Sequence, residues 1–511
     1  MKILIQTIDD KFLDLETFWQ LSKGGGIVQW DSELRARGEE SRQVLRSLLD
    51  QNFHLYGITT GFGQQADLRF SFGQESLLQA ALVDFHGAGV GPVLSYEASR
   101  AIFLARIMSV SRGFSGIRPA LVDFMMRLFN AGVAPVIPEL GSVGASGDLT
   151  PLSYLAALLS GQREGWYQGR RLPAAEVLGE LKEEPWTWQG KEALAILNGT
   201  GVMTGIASLA WAEVSHLADW VDAITALGAS ALGLPEEPYL PFLHQVKGHP
   251  GNQASARRIL ELAKLSTIPI GHPSAYETQE GRVMQPRYSF RCAPQVHGVL
   301  HDTLGFTGPV LIRELNSAND NPLFAPEEHR AFHGGNFMGN HVAAAADYLR
   351  IAVATSLNLV DRQVQLLLEG KGGLPTNLAL GEAGDPAFGL KALGITTSAL
   401  AAEAQHLAAP VSVLSRPTEG GNQDVVSMGT ISARTLARQV GLFRYAVAHG
   451  LVVGAQAWEL STPHQESKPL EKIHAWVRER VPLSPKNASL GKPLEDLAKD
   501  LETTKLADIF R

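Results

Sequence analysis

Cysteine is nearly absent from the 511-residue chain. The single thiol, Cys292, excludes a disulfide framework and any zinc site built on cysteine. Charge is sparse as well, at 19% of residues, with 44 basic against 52 acidic side chains and a formal net charge of −8. Without a dense Lys/Arg run, the footprint of a nucleic-acid binder is missing. Long apolar runs are also lacking. The stretch Ile351–Val360 carries Thr, Ser and Asn, and it falls short of the ~20 residues that cross a bilayer. Met1 to Thr7 runs into Asp9 and Asp10 before an export-type apolar core forms. The expectation is a soluble, cytoplasmic protein that binds neither nucleic acid nor membrane. Its length suggests roughly two to four domains or one interleaved unit. That is enough chain to bury a large core without covalent staples.

What is present is helical patterning. Ile3–Thr7 reads as a short apolar strand, followed by helical pieces. Over Ser32–Asp50 the residues Leu34, Val44, Leu45, Leu48 and Leu49 mix with charges, as on a surface helix. Between 54 and 75, Gly57, Thr59-Thr60-Gly61, Gly63 and Gly73 punctuate a segment with no sustained period. This is a long loop, and loops of that length in compact proteins are usually functional or disordered. Helical patterning resumes up to residue 140, with turns at 87–92 and 113–119. Ala/Leu-rich patterns over 202–228, 341–369, 387–408 and 428–461 exceed the ordinary helix of ~11–12 residues. Ala343–Leu368 is apolar on most faces and must be buried in a bundle or against other subunits. Gly- and Pro-rich loops at 265–292, 315–340, 370–376 and 415–424 separate these patterns, and an amphipathic run covers Leu494–Phe510. The predicted fold is mainly α, a large bundle of long helices with active loops at its ends.

Generic catalytic motifs do not fit. Gly144-Ala145-Ser146-Gly147 lacks the spacer of a nucleophile elbow. Gly199-Thr200-Gly201 has an apolar run before it and Asp219 about 20 residues on, as in a dinucleotide site. Residues 202–228 nevertheless continue as one helical pattern, so the second strand of that unit is missing. The 15 histidines contain no H-E-x-x-H, and His333 and His341 are too loosely spaced to imply a metal. The segment Gly141 to Leu152 stands apart. Pro151 reads as the first residue of a helix, which places Ala145-Ser146-Gly147 just before an N-terminus that favours negative charge. From this segment alone, a capped Gly/Ser turn is an equal alternative.

That tripeptide resembles the Ala-Ser-Gly signature of the histidine, phenylalanine and tyrosine ammonia-lyases and the related aminomutases. Five further motifs follow in that family's order. Tyr56-Gly57-Ile58-Thr59-Thr60-Gly61-Phe62-Gly63 resembles its lid, and Leu197-Asn198-Gly199-Thr200 its L-N-G-T. Gln285-Pro286-Arg287-Tyr288-Ser289-Phe290-Arg291-Cys292 resembles Q-D-x-Y-S-x-R-C, departing at the second position. Asn319-Asp320-Asn321-Pro322 with Gly334-Gly335-Asn336-Phe337, and Glu419-Gly420-Gly421-Asn422-Gln423-Asp424, complete the set. The resemblance implies the long-helix bundle of that family, related to fumarase and aspartase. It also implies three regions. Residues 1–205 hold the lid loop and the tripeptide, 206–480 form a central bundle with substrate-binding loops, and 481–511 form a tail helix.

The implied prosthetic group is 4-methylidene-imidazol-5-one (MIO), formed from Ala145, Ser146 and Gly147, with no external cofactor and no metal. Gly147 lets its nitrogen approach the Ala145 carbonyl, and Ser146 has a hydroxyl to lose. The implied reaction is loss of ammonia from an aromatic L-amino acid. Tyr56 is then the base for the β-proton, and its phenol pKa must be lowered by nearby donors or positive charge. Arg291 is the bidentate partner of the substrate carboxylate. Asn198 contacts the amine and carboxylate region, Tyr288 and Gln285 line the site, and Phe337 packs beside the ring. Glu419 takes or relays a proton near the amine.

Selectivity rests on Phe85, His86 and Gln423. Gln423 stands where histidine enzymes typically carry Glu, and His86 can hydrogen-bond a para-hydroxyl. The reading therefore favours tyrosine, with phenylalanine or ring-substituted analogues also turned over to coumarate- or cinnamate-type products. Tyrosine 2,3-aminomutase, histidine ammonia-lyase and an inactive helical scaffold are the alternatives. Family likeness further implies a homotetramer with shared active sites.

Overall fold

The computed structural model describes residues 4–265, 267, 285–381, 385–461, 467–483 and 487–511. Most of the loop expected over 265–292 therefore lies outside the described residues, as do residues 484–486 of the tail. The predicted first strand is Leu4–Ile8, and it pairs in parallel with Gly26–Trp30. Sequence reading missed the second strand, because five residues behind a glycine run are too few to show a period. Gly26 is obligatory there, since a Cβ would lie 2.4 Å from the Leu4 carbonyl oxygen. The helix Ser32–Asp50 begins where Asp31 accepts from the Glu33 N–H at 2.8 Å. It buries Leu34, Val44 and Leu45, as the pattern predicted.

Four long helices, Gly201–Ala231, Asn340–Leu368, Lys391–His406 and Gly429–Leu460, correspond to the four Ala/Leu-rich patterns. A fifth, Ala293–Leu315, hides its period behind Gly298, Gly305, Gly308 and an internal Pro309. The turn at 87–92 runs into a short strand, Val90–Val93, paired antiparallel with Pro138–Leu140. No helix among the described residues is long and apolar enough to cross a membrane.

The chain divides into two compact units. The first comprises Met1–Ala212, Gly308–Asp347 and Pro410–Ala437. The second comprises Glu213–Thr307, Tyr348–Ala409 and Arg438–Arg511. Both are discontinuous, which a division into consecutive stretches does not express. The first unit is centred on Phe103, Phe124, Phe129, Leu155 and Leu197, all buried. The second buries Trp220, Ile224, Val360, Leu367 and Leu451. In its outer part, Leu494, Leu497 and Leu501 on the helix Gly491–Leu501 realise the expected amphipathic tail.

Two histidines of the second unit are held neutral. Burial lowers both His297, whose Nδ1 lies 2.9 Å from the Ser356 hydroxyl, and His449, each to about 4. An unfolded histidine gains its proton near 6.5. Stability is therefore fully present above that pH and is lost as pH falls toward 4, by about 3 kcal/mol per histidine. Urea unfolding followed from pH 7 to pH 4.5 should show this loss, with a shallower slope in His449→Gln.

Candidate active site

The tripeptide lies in the first unit, immediately before the helix Leu149–Leu159. The helix starts two residues earlier than Pro151 suggested. Pro151 is its third residue, where a missing N–H still costs no intrahelical bond. The backbone here is unusual. Ser146 has φ +49°, and Gly144 and Gly147 have φ +72° and +78°. Gly147 forms a parallel bridge with Gly199, and a Cβ on it would lie 2.2 Å from the Gly199 carbonyl oxygen. Only glycine fits there.

Two amides address Ser146. The Asn198 Nδ2 donates to the Ser146 carbonyl oxygen at 2.8 Å. The Gln423 Nε2 donates to the Ser146 hydroxyl at 3.0 Å, while the Thr418 hydroxyl donates to the Gln423 Oε1 at 2.6 Å and fixes the amide's orientation. Gln423, read from the sequence as a selectivity residue, thus contacts the tripeptide itself. Asn198 terminates the helix Glu192–Leu197 rather than capping the next one. Its Oδ1 is buried without a hydrogen-bond partner, an acceptor aimed at nothing in the protein.

The sequence reading assigns Asp148 no role. Its carboxylate is fully buried. It accepts from the Ser142 hydroxyl at 3.1 Å, from the Met203 N–H at 2.9 Å and from the Thr430 hydroxyl. The Met203 bond makes it the cap of the helix Gly201–Ala231. Burial pushes its pKa up to about 6 against these donors. Further out, Ser427 donates to the Gly144 carbonyl at 3.3 Å, and the Met428 N–H bonds the Val143 carbonyl at 2.9 Å. These partners come from distant parts of the chain, so sequence spacing gave no signal for them beyond the acid following Gly147.

The Tyr56 loop meets the Glu419 turn. The Gly63 N–H donates to the Tyr56 hydroxyl at 3.0 Å, and the Glu419 Oε2 accepts from the Gln64 N–H at 3.2 Å. Glu419, with φ +48°, therefore meets the loop. Burial raises the Tyr56 phenol, the Gly63 N–H opposes this, and Glu419 adds to the rise. The lowered phenol pKa that catalysis was expected to need is thus reversed by these neighbours. His86 terminates the helix Glu75–Phe85, and its Nδ1 lies 3.0 Å from the Leu82 carbonyl. A carbonyl only accepts, so Nδ1 carries the proton. Burial, the largest influence, lowers the imidazole, leaving Nε2 as an acceptor. The Phe85 and His86 rings lie 4.2 Å apart.

The first unit thereby links Tyr56, Glu419, Gln423, Ser146, Gly147 and Asn198, with Ala145 in sequence, while Phe85 and His86 contact each other and feel the Glu419 charge. Phe337 lies half-buried in the turn preceding Asn340, and no contact links it to this set. Gln285, Tyr288 and Arg291 belong to the second unit. There the Arg291 guanidinium lies 4.8 Å from the Tyr288 ring centre. Among the described residues no carboxylate forms an ion pair with it. Among the described residues no group of three His, Cys, Asp or Glu side chains is placed to hold a metal ion.

A helical fold with a glycine-cradled tripeptide before a helix N-terminus defines the class, that of the carbon–nitrogen lyases. The chain belongs to the aromatic amino acid lyase family, whose profile matches residues 13–479. It is similar to a histidine ammonia-lyase of Stigmatella aurantiaca, at 34% identity over 99% of this chain and 98% of that one. It is equally similar to a tyrosine ammonia-lyase of Cupriavidus metallidurans, at 34% identity over 99% and 97%. Among solved structures it resembles the tyrosine aminomutase of Streptomyces globisporus, with a TM-score of 0.92, 32% identity and coverage of 99% and 98%.

Proposed function

We propose that the protein is an MIO-dependent ammonia-lyase acting on L-tyrosine, with phenylalanine and ring-substituted analogues as further substrates. The carrying observation is the pair of amides, Asn198 and Gln423, that hold Ser146 in a left-handed turn between two glycines. The residues present fit an MIO group. The turn tolerates no side chain at Gly147, and the Asn198 Nδ2 donates to the Ser146 carbonyl oxygen, which the ring would retain. When formed, that ring supplies an electrophilic methylidene carbon for the substrate amine. The chain's own side chains supply the rest. Arg291 holds the substrate carboxylate through two parallel hydrogen bonds. The neutral His86 Nε2 accepts from a para-hydroxyl, which phenylalanine cannot offer. The Tyr56 oxygen removes the β-proton, and its loop excludes water. A homotetramer with shared sites is part of this reading, and the 71% exposure of Tyr288 supports it.

A substrate panel with product identification tests it. Coumarate from tyrosine is expected. Accumulation of β-tyrosine would establish the aminomutase reading, which the likeness to the Streptomyces globisporus structure favours. Urocanate from histidine without turnover of tyrosine would reverse the substrate assignment. Arg291→Lys keeps the charge but loses the fork. KM for tyrosine should rise about tenfold to a hundredfold, checked by steady-state kinetics.

A further inference from the structure

A cavity of about 450 Å³ lies in the first unit, away from the tripeptide. That volume falls in the range of small-molecule sites. Its wall combines Arg42, Arg46 and Arg118 with Leu45, Leu49 and Phe72. Arg118 is spent: its Nε and Nη2 both reach Glu192 at 2.6 Å. Glu192 is spent too, since it also accepts from the Trp186 indole and the Gln189 N–H, each at 3.0 Å. Arg42 and Arg46 are different. Among the described residues neither side chain has a hydrogen bond or an ion pair; burial and the nearby Arg46 and Arg118 charges lower Arg42, and the Glu39 and Glu192 charges oppose this. Two guanidiniums lining one concave, part-apolar wall, neither hydrogen-bonded to a carboxylate, leave donors for an anion. Asp50 and Glu75 also line the cavity and balance the two arginine charges, so a polyanion is repelled.

The place of the cavity matters as much as its charge. Asn52 and Phe72, which line it, stand at the two stems of the Tyr56 loop. Asn52 and Gly73 have φ +60° and +91°, left-handed joints at either stem. The stems already touch, His54 stacking on Phe72 at 5.3 Å.

We propose that this cavity binds a small organic carboxylate with an apolar body, and that its occupancy ties the two stems of the Tyr56 loop together. The carboxylate meets Arg42 and Arg46, and the apolar body meets Leu45, Leu49 and Phe72. Neither effect depends on which amino acid is the substrate.

Hydrogen exchange on the full-length protein, with benzoate as probe, tests it. Arg291→Gln is the background, because it removes the carboxylate partner of the active site. In the wild type and in Arg291→Gln, benzoate should slow exchange across residues 53–74. In Arg42→Gln/Arg46→Gln, benzoate affinity measured by calorimetry should fall about tenfold or more, and the protection should vanish. Absence of protection in Arg291→Gln overturns the site, as does equal protection in the Arg42→Gln/Arg46→Gln protein. Protection by inorganic phosphate equal to that by benzoate overturns the apolar half of the assignment. Should the double variant fail to fold, the wild type and Arg291→Gln alone decide.

Discussion

Ser146→Ala should leave a folded protein whose turnover of tyrosine is reduced by about 10⁴-fold or more, because the electrophile is formed from the serine. The fold should survive, since the substitution removes one hydroxyl whose described partner is the Gln423 amide. Relative to the uncyclised chain, losing that bond costs about 1 kcal/mol. Intact mass separates the causes. The wild-type protein should weigh two waters less than its linear sequence, and Ser146→Ala should match its linear sequence. A wild-type chain that deaminates tyrosine at full linear mass would remove the basis of the proposed chemistry.

Tyr56→Phe has the second-largest expected effect. Removing a general base lowers rate by about 10² to 10⁴, while the mass loss at the tripeptide should persist. The wild-type pH profile carries the sharper signature. Burial, joined by Glu419, raises the phenol above its ordinary value of 10.0, and only the Gly63 N–H counters. The active form is the phenolate, so kcat/KM should climb as pH rises through the alkaline range. Tyr56→Phe should lose that climb. A wild-type profile falling above pH 8 would exclude Tyr56 as the base.

The elements legible in the sequence were those with long periods. Gly201–Ala231 and Gly429–Leu460 were visible because thirty or so residues of small and apolar side chains leave no other conformation. Ala293–Leu315 was not, because three glycines and Pro309 mask its period. The strand Gly26–Trp30 was too short to read. At the site, Tyr56, Ser146, Gly147 and Asn198 were legible through motif resemblance, since each stands in a contiguous run. Asp148 and Thr430 were not given roles. Their contact closes a gap of 282 residues, and spacing along a chain says nothing about such pairs. The contact of Gln423 with Ser146 was hidden for the same reason. Its amide is aimed by Thr418 within one turn, but its target is Ser146.

That long-range cradle has a consequence in time. Gly199, Met203, Ser427 and Thr430 all cradle the turn at Ser146, so on the proposed chemistry a nascent chain cannot acquire its reactive centre ahead of its tertiary structure. Activity becomes a certificate of completed assembly, issued late and only to molecules whose distant segments have met.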